Sequence, residues 1–85
     1  MQQIGGKRLE PFSRDKLFLS LYDSVGHRPA AISDATALTS SVINRLRPHM
    51  SKGAVARSVI AQVALVVLNR FDKVASVHYA ARHKY

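Results

Sequence analysis

The sequence predicts a mainly α fold: a four-helix bundle with a short N-terminal β-hairpin as a small β cap. Three observations carry this. Four stretches place apolar residues at 3–4 spacing, each bounded by capping or breaking residues. A Gly5-Gly6 pair sits between two short segments near the N-terminus, as in a tight hairpin. The chain has 85 residues, 47% of them hydrophobic, enough for one core and not for two.

In chain order, Gln3 and Ile4 form one arm of the hairpin and Lys7 to Glu10 the other. The first helix opens on Ser13, a good N-cap, with Asp15 in the first turn, where the helix dipole favours a negative charge. Phe12 and Leu17 stand at the N′ and N4 positions of a hydrophobic staple. Phe18, Leu21, Tyr22 and Val25 extend the apolar face, and Gly26 supplies a C′ residue. Residues 27–33, "HRPAAIS", make a loop with Pro29 as breaker. Ser33 or Asp34 caps a second helix whose apolar positions are Ala35, Leu38, Val42, Ile43 and Leu46. Its other face is small and polar, from Thr36 and Thr39 to Ser41, and Pro48 ends it.

Gly53 breaks the connection that follows, and Ala54 to Ala56 add a short strand. A third helix from Arg57 to Phe71 is apolar nearly all round, which predicts the most buried helix of the bundle. A break at Asp72-Lys73 leads to a last helix that runs to the end of the chain, with an apolar stripe of Val74, Val77 and Ala81.

The composition narrows the chemistry. There is no cysteine, so disulfides, thiolate metal sites and cysteine nucleophiles are excluded. His78 and His83 are five apart, not the four that put two ligands on one helix face, so no metal is expected. "GGK" at residues 5–7 lacks the second glycine and the following Ser or Thr of a phosphate loop. The five acids form no catalytic set by spacing, and the chain is expected not to be an enzyme. The longest apolar run, Val59 to Leu68, is half the ~20 residues of a membrane span. With no signal peptide visible, the expectation is a cytoplasmic protein. The net charge of +8 favours an anionic partner. Lys7, Arg8, Arg14 and Lys16 crowd a helix start, where free backbone N–H groups already attract anions.

"EPFSRDKL", from Glu10 to Leu17, resembles the entry segment of the ATP-cone domain. That family is the nucleotide-sensing module of ribonucleotide reductases and of the bacterial repressor of their genes. "FDKVASVHYAARHKY", from Phe71, resembles the last element of the repressor version. The likeness runs from about Ile4 to Tyr85 and makes residues 1–85 a single ATP-cone-like domain. The resemblance implies a four-helix bundle covered by a small sheet. It also implies binding of ATP or dATP, with or without magnesium, to control an attached or partner protein in ribonucleotide reductase regulation.

By position, Glu10 takes the place of a glutamate that contacts sugar or base, and Lys16 that of a lysine on phosphate. Ser13 takes the place of a polar residue facing the nucleotide, with Lys7, Arg8 and Arg57 as helpers on phosphate. The sequence departs from the family at Gln3 and Ile4, where two cations are missing. It departs again at Arg57, beside Ser58, in place of a Ser or Thr, and at Ala61. Two alternatives stand beside this reading. One is a degenerate cone serving as an interaction or oligomerisation module in a larger parent protein or homo-oligomer. The other, ranked third, is a basic nucleic-acid-binding helical domain.

Overall fold

A computed structural model describes residues 9–82, with the side chains of Leu9 and Glu10 outside that description. The elements are β1 (Leu9–Pro11), α1 (Arg14–Ser24), α2 (Ala31–Leu46), a 3₁₀ turn (Arg47–His49), β2 (Ala54–Ala56), α3 (Arg57–Phe71) and α4 (Lys73–Arg82). The helices close a ring: α1 packs on α2, α2 on α3, α3 on α4, and α4 back on α1. The expected hairpin turn at Gly5-Gly6 and its first arm lie outside the described residues. The described strand β1 pairs antiparallel with β2, with Leu9 opposite Ala56 and Pro11 opposite Ala54. Pro11 has no N–H to give, and Phe12 takes over, donating to the Gly53 carbonyl at 3.0 Å.

Helix α1 forms as its cap predicts. Ser13 holds an extended backbone, and its Oγ accepts from the Lys16 N–H at 3.2 Å. Leu17, Leu21 and Val25 enter the core. Phe18 and Tyr22, one turn apart, stack ring on ring at 6.1 Å on the flank. Gly26 occupies the expected C′ position, after the C-cap Val25, but without a positive φ. The Val25 N–H instead closes the helix on the carbonyls of Leu21 and Tyr22.

Helix α2 begins at Ala31, ahead of the expected cap at Ser33 or Asp34. Its N-cap, Ala30, makes no side-chain bond, and the Asp34 N–H already lies inside the helix, bonded to the Ala30 carbonyl at 2.8 Å. The Asp34 carboxylate is held by Arg28, which removes it from capping. Thr39, expected on the polar face, is fully buried beside Ala35, Val42 and Leu46. Its hydroxyl donates to the Ala35 carbonyl at 2.7 Å, which satisfies the only polar group it brings into the core.

Between α2 and α3 the chain reverses at Ser51–Ala54, whose two backbone hydrogen bonds close a tight turn. The central residues Lys52 and Gly53 both have positive φ, 52° and 78°, as mirror-image hairpin turns require.

Helix α3 spans the expected residues and has the smallest share of exposed positions of the four described helices, six of fifteen, yet its apolar surface is not covered all round. Ala61, Ala64, Val67 and Leu68 are buried, whereas Val66 and Phe71 are 46% and 39% exposed. Its neighbours, α2 and α4, cover only part of an all-round apolar surface. Helix α4 is rotated from its expected orientation. Ala75, Ser76 and Tyr79 face inward, and Val74 and Val77 are 52% and 60% exposed, with Ala81 outside as well. Small residues at 75 and 76 let the helix approach closely, and the long Tyr79 side chain fills the remaining core space.

Candidate functional site

The β1–β2 ladder organises the residues that the sequence nominates. Lys7 and Arg8 lie outside the described residues. The Glu10 backbone sits opposite Val55, in the middle of the ladder. Ser13 and Lys16 follow the end of β1, tied to each other by the cap hydrogen bond. That bond commits the Ser13 hydroxyl to the helix and leaves its remaining hydrogen-bonding capacity for a ligand. Lys16 and its neighbour Arg14 extend into solvent.

Arg57 is the first residue of α3, directly after β2, and is exposed, with Ser58 half-buried and Ala61 in the core. The antiparallel register puts the start of α3 beside Leu9 and the start of α1 beside Ala54. Ser13 and Arg57 therefore lie at opposite ends of the ladder. The fold joins Ser13 to Lys16 and sets Glu10 between them and Arg57. A single ligand reaching both helix starts has to span the ladder. Electrostatically the two ends suit anions: Arg14 and Lys16 at one and Arg57 at the other, against Asp15 alone among the described acids nearby in sequence.

A second constellation escaped the sequence reading. Arg28, in the loop before α2, donates through Nε to Asp34 at 2.7 Å and through Nη1 to Asp72 at 2.8 Å. Its guanidinium carbon lies 4.5 Å from the Phe71 ring centroid. Nε2 of His27 lies 3.1 Å from the same Asp72 oxygen, and the His27 ring meets His78 edge-on at 5.3 Å. The other Asp72 oxygen accepts from the backbone N–H groups of Val74 and Ala75 and so caps α4. The Arg28 hydrogen bond, then that of His27, holds the Asp72 carboxyl down to about 2. The same bonds, Asp34 first, raise Arg28 above its ordinary value.

A carboxylate so fully occupied is a clamp and not a proton acceptor. It joins the loop to the α3–α4 junction, and Arg28 extends the link to Asp34 near the start of α2. The signal for its capping half was present in "FDKVAS", an Asp directly before a helical run. The Arg28 partnership links positions 44 residues apart and has no local signal. Among the described residues, no group of three or more His, Asp or Glu side chains is arranged to hold a metal ion. No helix among them is long and apolar enough to cross a membrane.

A basic, four-helix module with a short ladder over two helix starts is the class that this geometry defines. Comparison with known proteins adds one line of kinship. The chain is 32% identical over 80 residues to the transcriptional repressor NrdR of Rhodospirillum centenum, covering 94% of this chain and 51% of the relative. It is 29% identical over 77 residues to the transcriptional repressor NrdR of Psychrobacter arcticus, covering 91% of this chain and 50% of the relative. The chain spans about half the length of the curated relatives it matches. Both relatives are named as repressors and not as enzymes. No protein-family model and no solved structure matches the chain.

Proposed function

We propose that this chain is an ATP-cone-like regulatory domain that binds ATP or dATP and passes the signal to an attached or partner protein in the control of ribonucleotide reduction. The observation that carries the proposal is the likeness to two repressors over more than nine-tenths of the chain. The fold agrees with it: a basic helix start follows directly on the glutamate-bearing strand of the ladder.

In this reading Lys16 meets phosphate, aided by the backbone N–H groups at the start of α1 and by Lys7 and Arg8. Arg57 takes phosphate from the other helix start. Glu10 accepts hydrogen bonds from sugar hydroxyls or the base, the only productive part for a carboxylate beside a polyphosphate. Ser13 holds the helix start in shape and offers its hydroxyl to the ligand. Binding then shifts the packing of α1 against its neighbours, by as much as the ligand's affinity differs between two arrangements. Calorimetric titration with ATP and dATP, with and without magnesium, tests the proposal. Saturable binding that weakens in Lys16→Ala supports it, and no heat at millimolar nucleotide rejects it.

A second reading has an observation of its own. Val74 and Val77 form an exposed apolar stripe on α4, which suits a degenerate cone that works as an interaction module without nucleotide. It predicts concentration-dependent association that is indifferent to ATP. The net charge of +8 keeps direct nucleic-acid binding as a third reading, to be seen as an affinity that falls steeply with salt.

A further inference from the structure

Away from both helix starts, a groove runs along the α2–α3 seam. At one end is a cavity of about 310 Å³, floored by Leu38, Val67 and Phe71 and rimmed by Arg45 and Arg70. Beside it, sharing Arg45, is a second of about 370 Å³, with Val63 and Val66 for its floor and His49 at its edge. Val66 and Phe71 are 46% and 39% exposed, so the floor is open to a partner. Arg45 and Arg70 have no ion-pair partner among the described residues.

The charge pattern of this face is one-sided. From Ala35 to Phe71 the sequence carries five Lys or Arg and no Asp or Glu. Asp34 and Asp72 lie near the Phe71 end of the groove but are both taken by Arg28, Asp23 pairs with Arg82, and Asp15 is at the start of α1. A second copy would set arginines against arginines on a surface of net charge +8.

We infer that this groove docks an acidic amphipathic helix of a partner protein. Two neighbouring apolar depressions between α2 and α3 take successive side chains of an i, i+4, i+7 stripe. Flanking carboxylates on that helix meet Arg45 and Arg70, whose planar guanidinium groups match carboxylate geometry with two parallel hydrogen bonds. The aliphatic floor selects this occupant over nucleic acid. Bases need aromatic platforms, and the one phenyl ring of the groove, Phe71, is already covered on a face by Arg28, which leaves only the His49 imidazole. The inference is independent of nucleotide binding, since no residue of the groove belongs to the proposed nucleotide site.

The test titrates the full chain, labelled with ¹⁵N, with a synthetic helical peptide carrying a leucine stripe flanked by glutamates. The same peptide with lysines for glutamates and a short DNA duplex serve as comparisons. Amide shifts confined to residues 37–45 and 62–71 are expected with the glutamate peptide. Affinity should fall about tenfold in the double variant Arg45→Glu/Arg70→Glu, two rim charges reversed. Val66→Ser should weaken it as well, and Lys73→Glu, a cation on α4, should leave it unchanged. Circular dichroism confirms that each variant is folded. The inference is overturned if the lysine peptide binds equally well, if the shifts map to another face, or if nothing shifts. It is equally overturned if the duplex engages these residues as tightly as the peptide, or if the groove signals change with protein concentration alone.

Discussion

Arg28 reaches across 44 positions of sequence to hold Asp72, Nη1 to Oδ2 at 2.8 Å, while the other oxygen of that carboxylate caps the next helix. One side chain thereby fixes the α3–α4 corner and fastens the α1–α2 loop to it.

The contact makes the protein acid-sensitive in a defined window. The Asp72 carboxyl is lowered from 3.8 to about 2 in the folded chain. A depressed folded value means that the stabilisation is fully present above the unfolded value, near pH 4, and is lost as pH falls toward 2. Thermal melts should show this loss between pH 4 and pH 2, and Asp72→Asn should flatten that part of the curve. At neutral pH, Asp72→Ala should lower Tm by roughly 4–8 °C, the effect of losing one helix cap in a domain of this size.

Lys52 carries a strained backbone, with φ of 52° at a position that suits glycine or asparagine. Lys52→Gly removes left-handed strain of about 1–2 kcal/mol and adds unfolded-state entropy of about 0.5–1 kcal/mol. A net gain of about 0.5–1 kcal/mol in urea unfolding is expected. A loss would mean that the turn is not closed as described.

The orientation of α4 is testable by contrast. Val74→Ala and Val77→Ala change exposed residues and should alter stability by no more than about 0.5 kcal/mol. Tyr79→Ala empties a core position that is 3% exposed and should cost about 3–5 kcal/mol. The opposite ranking would restore the valine stripe to the core. If the stripe mediates self-association, the two valine variants should also be monomeric at concentrations where the parent chain is not.

The helices were legible because their signals are local. The Ser13 cap, the α3 limits and the short strand at Ala54 to Ala56 all follow from residues within a turn of each other. What escaped was set by distant partners. Asp34 resembles a cap until Arg28 claims it, and Thr39 looks polar until its hydroxyl finds the Ala35 carbonyl. The α4 stripe misled because hydrophobicity alone put Val74 and Val77 inward, whereas close packing favoured Ala75 and Ser76. At the candidate site, Ser13 was legible as a cap, whereas its hydrogen bond from the Lys16 N–H was not, since Lys16 stood out only as a cation for phosphate. The separation of Arg57 from Ser13 depends on the strand register, which no short motif encodes.

The central claim is that the ladder and the start of α1 hold an adenine nucleotide, and calorimetry of the full chain with ATP and dATP tests it most directly. Saturable binding is expected, weakened about tenfold by Lys16→Ala through loss of one charged phosphate contact. Glu10→Gln should weaken ATP and dATP binding while leaving affinity for inorganic triphosphate unchanged. Absence of binding at millimolar nucleotide, or binding that ignores both substitutions, would contradict the account.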